Sequence, residues 1–387
     1  MQGEIAIQSE GGEAAGDQLH TAMLPLPHGT LHMPVFMPDA TLGVVRSLDA
    51  VDLLNCETPA LVMNTFHLMQ RPGSSTIHAL GDLHSMSGWP RPIVTDSGGF
   101  QAYSLIQQNS KFGSLGEDGI MFKPEGSSRK FHLTPEKAVQ LQMSYDSDVV
   151  MCLDYCTHVD APLAVQEVSV ERTIAWAKRC KDAYWHLVEQ KRLSAEKRPL
   201  LFAVIQGGGS RELRRRCSEA LLALGFDGFG YGGWPLDGQG RLLSDIIGYT
   251  RELVPRQFPM HALGVGHPEN ITTCASLGYG LFDSAMPTRD ARHGRLYAFT
   301  QTDATPANST QGKWFSFVYV NDDKYIKSDA PVSAVCDCLC CQRYSRGYLY
   351  HLFKINDTLF FRLATIHNLR FMSMLMERLR EGQRAAE

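Results

Sequence analysis

Four polar side chains stand where short apolar runs of this chain end, and they are Asp96, Asp154, Gln206 and Asp283. Asp96 lies in VTDSGGF and Asp283 in GLFDSAMPTRD, so glycines follow one carboxylate and an arginine-rich stretch follows the other. Two carboxylates across one reacting centre suit chemistry at the anomeric carbon of a sugar. One attacks as nucleophile, and the other exchanges protons with the leaving and entering groups. Considered singly, Asp96 is equally well explained as the cap of a turn, and Asp283 as an ion-pair partner of Arg289 or Arg292.

Asp154 and Gln206 suit the recognition of a flat ligand with hydrogen-bonding edges. A carboxylate accepts from the N–H groups of a guanine-like edge, and an amide both donates and accepts. A buried edge of this kind rejects bases that do not match it. The glycines Gly98 and Gly99 would let such a ligand approach the backbone. Taken alone, a turn aspartate and a loop glutamine are the commoner explanations of Asp154 and Gln206.

Three cysteines with Cys-x-Cys-x₂-Cys spacing, Cys336, Cys338 and Cys341, indicate a metal site. Thiolates so close together can share one tetrahedral ion, and a histidine completes the Cys₃His set of many structural zinc sites. Such a set leaves no open position, so we expect one structural Zn²⁺ per chain. Spacing alone leaves Cys340 as a substitute for Cys341, and it leaves both His351 and His367 as the fourth ligand. The competing explanation is a chance cluster of thiols.

The apolar runs that position these residues alternate with helix-length amphipathic stretches. The runs are short, rich in Val, Ile, Leu, Met and Phe, and typical of strands buried on both faces; they read PALVMNTFH, RPIVTDSGGF, SDVVMCLDYC, RPLLFAVIQGG, MHALGVGH and GLFDSAMPTRD. Alternating buried strands and helices make a parallel sheet. We therefore predict an α/β fold, a (β/α)₈ TIM barrel, in which the polar strand ends meet at one mouth.

Helix signals fall between these runs, with Thr134 and Ser210 as N-cap residues. The predicted helices are 135–145, 168–193, 211–224, 239–254, 268–279 and a C-terminal stretch from about 343 to 380. The series Gly228-Phe-Gly230-Tyr-Gly232-Gly233 fits a dinucleotide fingerprint, but its glycines run along and off a strand, so we do not expect a bound dinucleotide.

Residues 301–355 break the alternation. They hold a turn-rich segment, TDATPANSTQG, then a predicted hairpin, WFSFVYVNDDKYI, with its turn at 321–323, then the cysteines. We interpret 301–355 as a zinc-binding insertion near the C-terminus of a barrel domain spanning 19–387, preceded by a lead-in at 1–18.

The composition is that of an ordinary globular protein. The 387 residues are 44% hydrophobic and 20% charged, with a net charge of −4. No apolar run reaches the roughly 20 residues needed to span a membrane, and the N-terminus lacks a secretory signal. Four of the ten cysteines are crowded at 336–341, which favours a reducing cytoplasm over a disulfide framework. A basic stretch, PTRDARHGR, keeps RNA binding open despite the negative charge.

The order of motifs resembles the tRNA-guanine transglycosylase, or queuine tRNA-ribosyltransferase, family. The resemblance runs from about residue 20 to the C-terminus and is carried by NTFHL, RPIVTDSGGFQAYSL, LDYCT, QGG, GYGG, GVGHPE, FDSAMPTRDARHG, CDCLCC and TIHNL. It implies a TIM barrel with a zinc-bearing insertion. It also implies exchange of guanine at the wobble position of tRNA with a GUN-type anticodon for a 7-deazaguanine, in queuosine biosynthesis. The exchange would be a double displacement through a covalent enzyme–RNA intermediate, by an enzyme expected to be a homodimer.

The resemblance also implies a role for each matching residue. Asp283 would be the nucleophile and Asp96 the general acid/base. The base site would comprise Ser97, Gly98, Gly99, Phe100, Asp154, Gln206, Gly233 and Leu263. The tRNA contacts would be Gly264, Val265, Gly266, His267, Pro268, Glu269, Asn270, Thr288, Arg289, Asp290, Ala291 and Arg292. The zinc ligands would be Cys336, Cys338, Cys341 and His367.

The chain departs from the family pattern around the base site. Trp234–Gly238 replaces the usual Leu-Ala-Val-Gly-Glu, Tyr155 a usual Glu, and Asp290 a usual Asn. Cys156 and the bulky Leu236 suggest little room beyond the 7-position, so we favour 7-aminomethyl-7-deazaguanine over the larger queuine. The alternatives are a queuine-inserting enzyme, a non-catalytic accessory subunit and a relative acting on DNA bases. Retention of both aspartates argues against the accessory subunit, and the intact tRNA-contact motif argues against the DNA-acting relative.

Overall fold

A computed structural model describes residues 23–124, 130–300 and 314–386. The predicted lead-in at 1–18 and the turn-rich segment TDATPANSTQG lie outside these residues. Among the described helices, none is both long and apolar enough to cross a membrane.

Eight parallel strands form the centre of the fold. They are β3 (Val35–Pro38), β4 (Leu61–Asn64), β5 (Ile93–Asp96), β9 (Val149–Met151), β10 (Leu200–Ile205), β11 (Gly228–Tyr231), β12 (Met260–Ala262) and β13 (Leu281–Ser284). Their order in the sheet is β3-β13-β12-β11-β10-β9-β5-β4, and a parallel bridge between Asp39 and Val62 joins the two outer strands. The sheet thus closes in chain order, which confirms the predicted (β/α)₈ barrel.

The helices surround this barrel. They are α1 (Ala50–Asn55), α2 (Thr65–Leu68), α3 (Ser74–Ala79), α4 (Leu83–Ser87), α5 (Gly99–Gln108), α6 (Pro135–Ser144), α7 (Leu163–Gln190), α8 (Arg211–Leu224), α9 (Ser244–Glu252), α10 (Pro268–Ser276), α11 (Met286–Arg292), α12 (Leu339–Arg343), α13 (Arg346–Lys354) and α14 (Thr358–Ala386). As predicted, Thr134 caps α6 by accepting from Lys137 N–H, and Ser210 caps α8 by accepting from Leu213 N–H. The long helix α14 packs against α11, α1 and β3, where it covers the side of the barrel between its last and first strands.

The remaining strands form small antiparallel sheets outside the barrel wall. They are β1 (Met23–Leu26), β2 (Gly29–His32), β6 (Gly113–Leu115), β7 (Ile120–Phe122), β8 (Phe131–Leu133), β14 (Arg295–Phe299) and β15 (Phe315–Tyr319). The β1–β2 hairpin packs Leu24, Leu26 and Leu31 into the same apolar cluster as Met151 and Phe202 of the barrel. This hairpin therefore closes the interior of the barrel at one end, and the site is left to the other.

The hairpin predicted within 314–326 was wrong, because β15 pairs antiparallel with β14, from Arg295 opposite Tyr319 to Phe299 opposite Phe315. The following residues make a 3₁₀ turn, Asp323–Tyr325, capped by Asp322. The helical stretch predicted from about 343 to 380 corresponds to α13 and α14, between which Asn356 adopts a left-handed φ of 55°.

Candidate active site

The polar strand ends do meet in one cavity, of about 510 Å³, at the carboxyl ends of the barrel strands. This volume suits a small ligand such as a nucleobase. The predicted site residues that line it are Asp96, Ser97, Gly98, Phe100, Asp154, Gly233, Leu263, Gly264, Asp283 and Arg289. Gly99 and Gln206 lie next to the lining residue Asp154. A Cβ on Gly99 would meet its carbonyl oxygen, and the Gln206 amide donates to its carboxylate.

Asp96 ends β5 and is held by donors from the neighbouring strand end. Asn64, which pairs with Asp96 in the sheet register, donates from Nδ2 to Oδ2 at 2.6 Å. The N–H groups of Thr65 and Gly98 donate to Oδ1 at 3.3 and 3.1 Å. Burial raises the pKa of Asp96 to about 8, and nearby Asp283 adds to the rise, while the hydrogen bonds from the two N–H groups lower the pKa. Asp96 is therefore protonated at neutral pH and able to give a proton.

Asp283 ends β13 and is surrounded differently. Its Oδ1 accepts from the Gly264 N–H at 2.9 Å and lies 2.9 Å from Nε2 of His261, which is buried on the adjacent strand β12. The alternative ion pair with Arg289 or Arg292 is absent from the described contacts, where His261 is the partner instead. Two donors on one oxygen orient the carboxylate, as a nucleophile requires.

Asp154 and Gln206 follow β9 and β10 and form a buried pair. Nε2 of Gln206 donates to Oδ2 of Asp154 at 2.6 Å. Burial raises the pKa of Asp154 to about 6, and the hydrogen bond from Gln206 opposes the rise. Oε1 of Gln206 is buried without a hydrogen-bond partner in the described part of the chain. Buried acceptors without partners are costly, so this oxygen awaits a donor from a ligand.

Close approach to the backbone requires glycine at Gly98 and Gly99. Gly98 has φ of 80°, and a Cβ there would stand 2.8 Å from the Phe66 nitrogen. A Cβ on Gly99 would stand 3.0 Å from the Asp154 carbonyl oxygen. The DSGGF turn therefore packs directly against the strand ends that carry the other site residues.

A buried arginine supports the two loops beside Gln206. Arg214 of α8 donates to the carbonyl oxygens of Ile205, Gly208 and Gly232 at 2.6, 3.0 and 2.9 Å. Gly208 lies in the QGG turn, Gly232 lies in the GYGG turn, and Ile205 ends β10. One planar guanidinium therefore fixes the ends of β10 and β11 beside Gln206.

Among the polar residues lining the cavity that sequence reasoning missed are Asn64, His261 and Asp39. Asn64 and His261 both lay in predicted strands, and period-2 alternation along those strands would have placed them inward. Asp39 lines the cavity just after β3, the one barrel strand without a sequence prediction. The run PVFMP, which contains β3, was not predicted as a strand because it carries a proline at each end.

The predicted tRNA contacts divide by exposure. Glu269 and Arg289 are exposed, and Asn270 and Arg292 are half-buried. By contrast, Val265, Pro268, Thr288, Asp290 and Ala291 are buried. The carboxylate of Asp290, for example, is occupied by Arg295 at 2.6 Å and by the Tyr297 hydroxyl. The buried residues hold the loop and α11 in place, while the exposed ones are free to meet a ligand.

A second cluster of side chains, remote from the cavity, could hold a metal ion. The ligand atoms of Cys336, Cys338, Cys341 and His367 all lie within 4.8 Å of one another. Nδ1 of His367 is 3.2 Å from Sγ of Cys341 and 3.6 Å from Sγ of Cys338, close to the roughly 3.6 Å expected between S and N ligands of a tetrahedral ion. The structure therefore selects Cys341 over Cys340 and His367 over the exposed His351.

The surroundings of His367 fit a ligand. Its Nε2 lies 2.6 Å from the carbonyl oxygen of Tyr297, to which it donates, so Nδ1 carries the lone pair toward the thiols. Four buried or half-buried protein ligands fill a tetrahedral set and leave no position for a substrate.

Comparison with known proteins agrees with this geometry. A family model described as queuine tRNA-ribosyltransferase matches residues 17–384. Proteins named queuine tRNA-ribosyltransferase are similar to most of the chain. The one from Psychrobacter sp. is 36% identical over 370 residues, covering 95% of this chain and 91% of its own length. The one from Caldanaerobacter subterraneus is 37% identical over 362 residues, covering 94% and 89%. The chain belongs to the queuine tRNA-ribosyltransferase family.

Within this family framework, the unusual segment Trp234–Gly238 lies at the cavity. Trp234, Pro235 and Leu236 line it. The Trp234 ring packs 4.9 Å from the ring of Phe100 and 5.4 Å from that of His158, measured between centroids. An aromatic wall thus borders the cavity next to Gly233.

Proposed function

We propose that this chain is a tRNA-guanine transglycosylase, which exchanges guanine at the wobble position of tRNA for a 7-deazaguanine. One observation carries the proposal: the carboxylates of Asp96 and Asp283 line a single cavity that the Asp154–Gln206 pair also borders. Two carboxylates supply the nucleophile and the proton, and the pair supplies an edge that reads a base. The names of the similar proteins fit this assignment.

In the first displacement, Asp283 attacks C1′ of the ribose. The new bond from its carboxylate oxygen forms as the C1′–N9 bond breaks, and the electron pair stays with guanine. Asp96, protonated at neutral pH, gives the leaving base its proton. The ribose is left attached to Asp283 as a covalent enzyme–RNA intermediate.

In the second displacement, the incoming base attacks the same carbon. Its N9 forms the new bond to C1′, its N9 proton passes to Asp96, and Asp283 leaves as a carboxylate. Asp96 thereby regains the proton it gave, so the cycle needs no outside acid. Two inversions at one carbon retain the configuration of the ribose.

Base recognition follows from the acceptors beside the cavity. The Asp154 carboxylate and the Oε1 of Gln206, which has no hydrogen-bond partner among the residues described, present neighbouring acceptors. Guanine and 7-deazaguanines offer matching donors at N1 and at the 2-amino group, whereas adenine does not. The N–H of Gly233, where φ is 90°, would complete the edge at O6.

We further propose that 7-aminomethyl-7-deazaguanine is the incoming base. Beyond Gly233, the cavity is bordered by Trp234, Leu236 and the buried Cys156. Large apolar side chains there favour a small 7-substituent over the larger one of queuine.

We assign the metal cluster to one structural Zn²⁺, held by Cys336, Cys338 and Cys341 of an insertion at 301–355 of the barrel domain 19–387 and by His367 of α14. When bound, the ion would cross-link the cysteine loop to α14. The partners would be tRNA with a GUN-type anticodon and a second copy of the chain. Sedimentation of the purified protein at micromolar concentration tests the proposed homodimer.

Incorporation of labelled guanine tests the function directly. Purified protein should transfer labelled guanine into a tRNA with a GUN anticodon, and not into the same tRNA with adenosine at the wobble position. Labelling of duplex or single-stranded DNA in place of tRNA would favour the DNA-acting alternative. An absence of labelling unless a second protein is added would favour the accessory subunit.

A further inference from the structure

Asp39 is a fourth carboxylate at the cavity, and the proposed reaction leaves it without a role. It follows β3, which pairs with β13 so that Pro38 lies opposite Ser284. Asp39 therefore stands one step beyond the strand end that carries Asp283. On its other side, Asp39 makes the bridge to Val62 that closes the barrel. Asp39 and Asp283 line the same cavity.

The Asp39 carboxylate is oriented by a hydroxyl, and Arg292 and His67 act on it only through space. The hydroxyl of Thr41 donates to its Oδ1, and Asp39 forms no ion pair in the described part of the chain. Burial raises the pKa of Asp39, the Thr41 hydroxyl opposes that rise, and the charge of Asp283 adds to it. A half-buried acceptor beside a second carboxylate is unfavourable unless a ligand uses it. The ligand group that fits is a hydroxyl.

The position of Asp39 points to the sugar and away from the base. In the sheet order, β3 and β13 are neighbours, and β9 and β10, which precede the base-reading pair, lie on the opposite side of the barrel. In the register, Met37 lies opposite Asp283, and Asp39 lies two residues further along the chain from Met37. Strand spacing and rise put the Cα positions of Asp39 and Asp283 roughly 8 Å apart, a gap that the two carboxylate side chains and one ribose between them can fill. With Asp283 at C1′, Asp39 is the neighbouring acceptor on the sugar side of the cavity.

We propose that Asp39, oriented by Thr41, accepts a hydrogen bond from the 2′-hydroxyl of the ribose that carries the exchanged base. Asp39 thus makes exchange depend on ribose. Hydrogen bonds to this hydroxyl strengthen as positive charge develops at the anomeric carbon, and the 2′-hydroxyl is the group that distinguishes RNA from DNA. The inference rests on the proposed transglycosylase function.

The experiment is a double-mutant cycle in which the Asp39 carboxylate is removed from the enzyme and the 2′-hydroxyl is removed from the RNA, singly and together. Two anticodon hairpins are compared, identical except that the target nucleotide is guanosine or 2′-deoxyguanosine. Exchange of labelled guanine is measured as kcat/KM for the wild type, Asp39→Ala, the isosteric Asp39→Asn and Thr41→Val. Asp182→Ala, which changes an exposed carboxylate on α7, is the control.

The wild type should prefer the ribose hairpin by about 10- to 100-fold, as expected for one charge-assisted hydrogen bond. Asp39→Ala should reduce that preference to within about twofold, Asp39→Asn and Thr41→Val should reduce it partly, and the control should keep it. A purely structural role would lower kcat/KM equally for both hairpins and leave the preference intact, which would overturn the inference. No preference in the wild type would overturn it as well. No exchange with either hairpin would overturn the proposed function itself.

Discussion

Asp96 and Asp283 have the same side chain but different surroundings, and these surroundings divide their roles. Asp96 is half-buried beside another carboxylate, and its pKa, raised to about 8, keeps its proton on at neutral pH. Asp283 receives two donors on one oxygen, which hold its carboxylate in place. A raised pKa on one carboxyl group and a fixed orientation of the other are how an active site obtains an acid and a nucleophile from the same residue type.

The first prediction separates the two aspartates. Asp283→Ala should abolish both guanine exchange and any covalent RNA adduct, because the attacking oxygen is gone. Asp96→Ala should abolish turnover, by about 100-fold or more, yet retain tRNA binding, because only the proton transfer is lost. Denaturing electrophoresis of enzyme mixed with tRNA and a base analogue reports the adduct. A covalent band that persists in Asp283→Asn and disappears when another carboxylate is removed would contradict the assignment.

The second prediction concerns pH. Asp96 has a pKa raised to about 8, so the acid is present below that pH and lost above it. Asp154 has a pKa raised to about 6, so its accepting carboxylate is present above that pH and lost below it. Exchange should therefore follow a bell-shaped profile with its maximum between about 6 and about 8. The test is kcat/KM for guanine, measured at saturating tRNA from pH 5 to 9. An unchanged kcat/KM from pH 7 to 9 would argue against Asp96 as the acid.

The third prediction concerns the incoming base. In competition for incorporation into tRNA, 7-aminomethyl-7-deazaguanine should win over queuine, because Trp234 and Leu236 narrow the cavity beyond Gly233. Trp234→Ala should reduce the preference by removing the ring that packs on Phe100. A clear preference of the wild type for queuine would show that the cavity has more room than its lining suggests.

At this scale, sequence patterns located the residues at strand ends but not their partners. The four side chains at the ends of apolar runs were predictable because parallel strands all point their carboxyl ends to one face. The pairing of Asp283 with His261 was not, because it depends on the register between the neighbouring strands β12 and β13, which the sequence does not give. Asp39 was also missed, since its strand is short and flanked by prolines.

At the scale of elements, α14 connects the barrel to the cysteine loop. It carries His367, and its Arg370 binds Asp337, which lies between two of the cysteines, at 2.6 Å. Sequence spacing predicted a metal site at the cysteines but left two of its ligands open, and the family resemblance supplied the full ligand set. Neither gave how the ligands are held, because spacing along the chain does not give the docking of a helix. The wrong hairpin prediction has the same cause, because spacing along the chain does not give the partner of a strand. The sequence indicated β15 as a strand, but its partner β14 precedes it in the chain, before residues 301–313.

The fourth prediction follows from this connection. Cys338→Ala should lose the bound zinc and destabilise the protein by about 3 kcal/mol or more, because ligand binding and local folding are coupled. Cys340→Ala is the matched control, since Cys340 is a buried neighbour outside the ligand cluster and should keep the metal. Metal analysis and thermal unfolding of both variants are compared. Equal zinc in both would contradict the assigned ligand set, and an absence of zinc from the wild type would contradict the choice of metal.

At the scale of the whole molecule, the charge distribution must reconcile a net charge of −4 with an RNA substrate. Four aspartates line the cavity. The exposed Arg289 and the half-buried Arg292 lie on α11, just after the strand that carries Asp283. Nη1 of Arg292 is buried and has no hydrogen-bond partner among the residues described. Local cations at the mouth of the cavity can attract phosphates although the protein as a whole repels them.

The fifth prediction tests this local attraction. If Arg289 neutralises a phosphate, Arg289→Ala should weaken tRNA binding about tenfold and reduce the slope of log affinity against log salt concentration by about one. The loss should be similar for cognate and non-cognate tRNA, because a phosphate contact carries no sequence information. Arg215→Ala is the control of equal charge, since Arg215 is already paired with Glu212 and Glu219 on the outer face of α8. Binding of tRNA to both variants is measured from about 50 to 300 mM salt. The same slope for Arg289→Ala and Arg215→Ala would contradict this role, because the attraction would then come from the total charge and not from the mouth of the cavity.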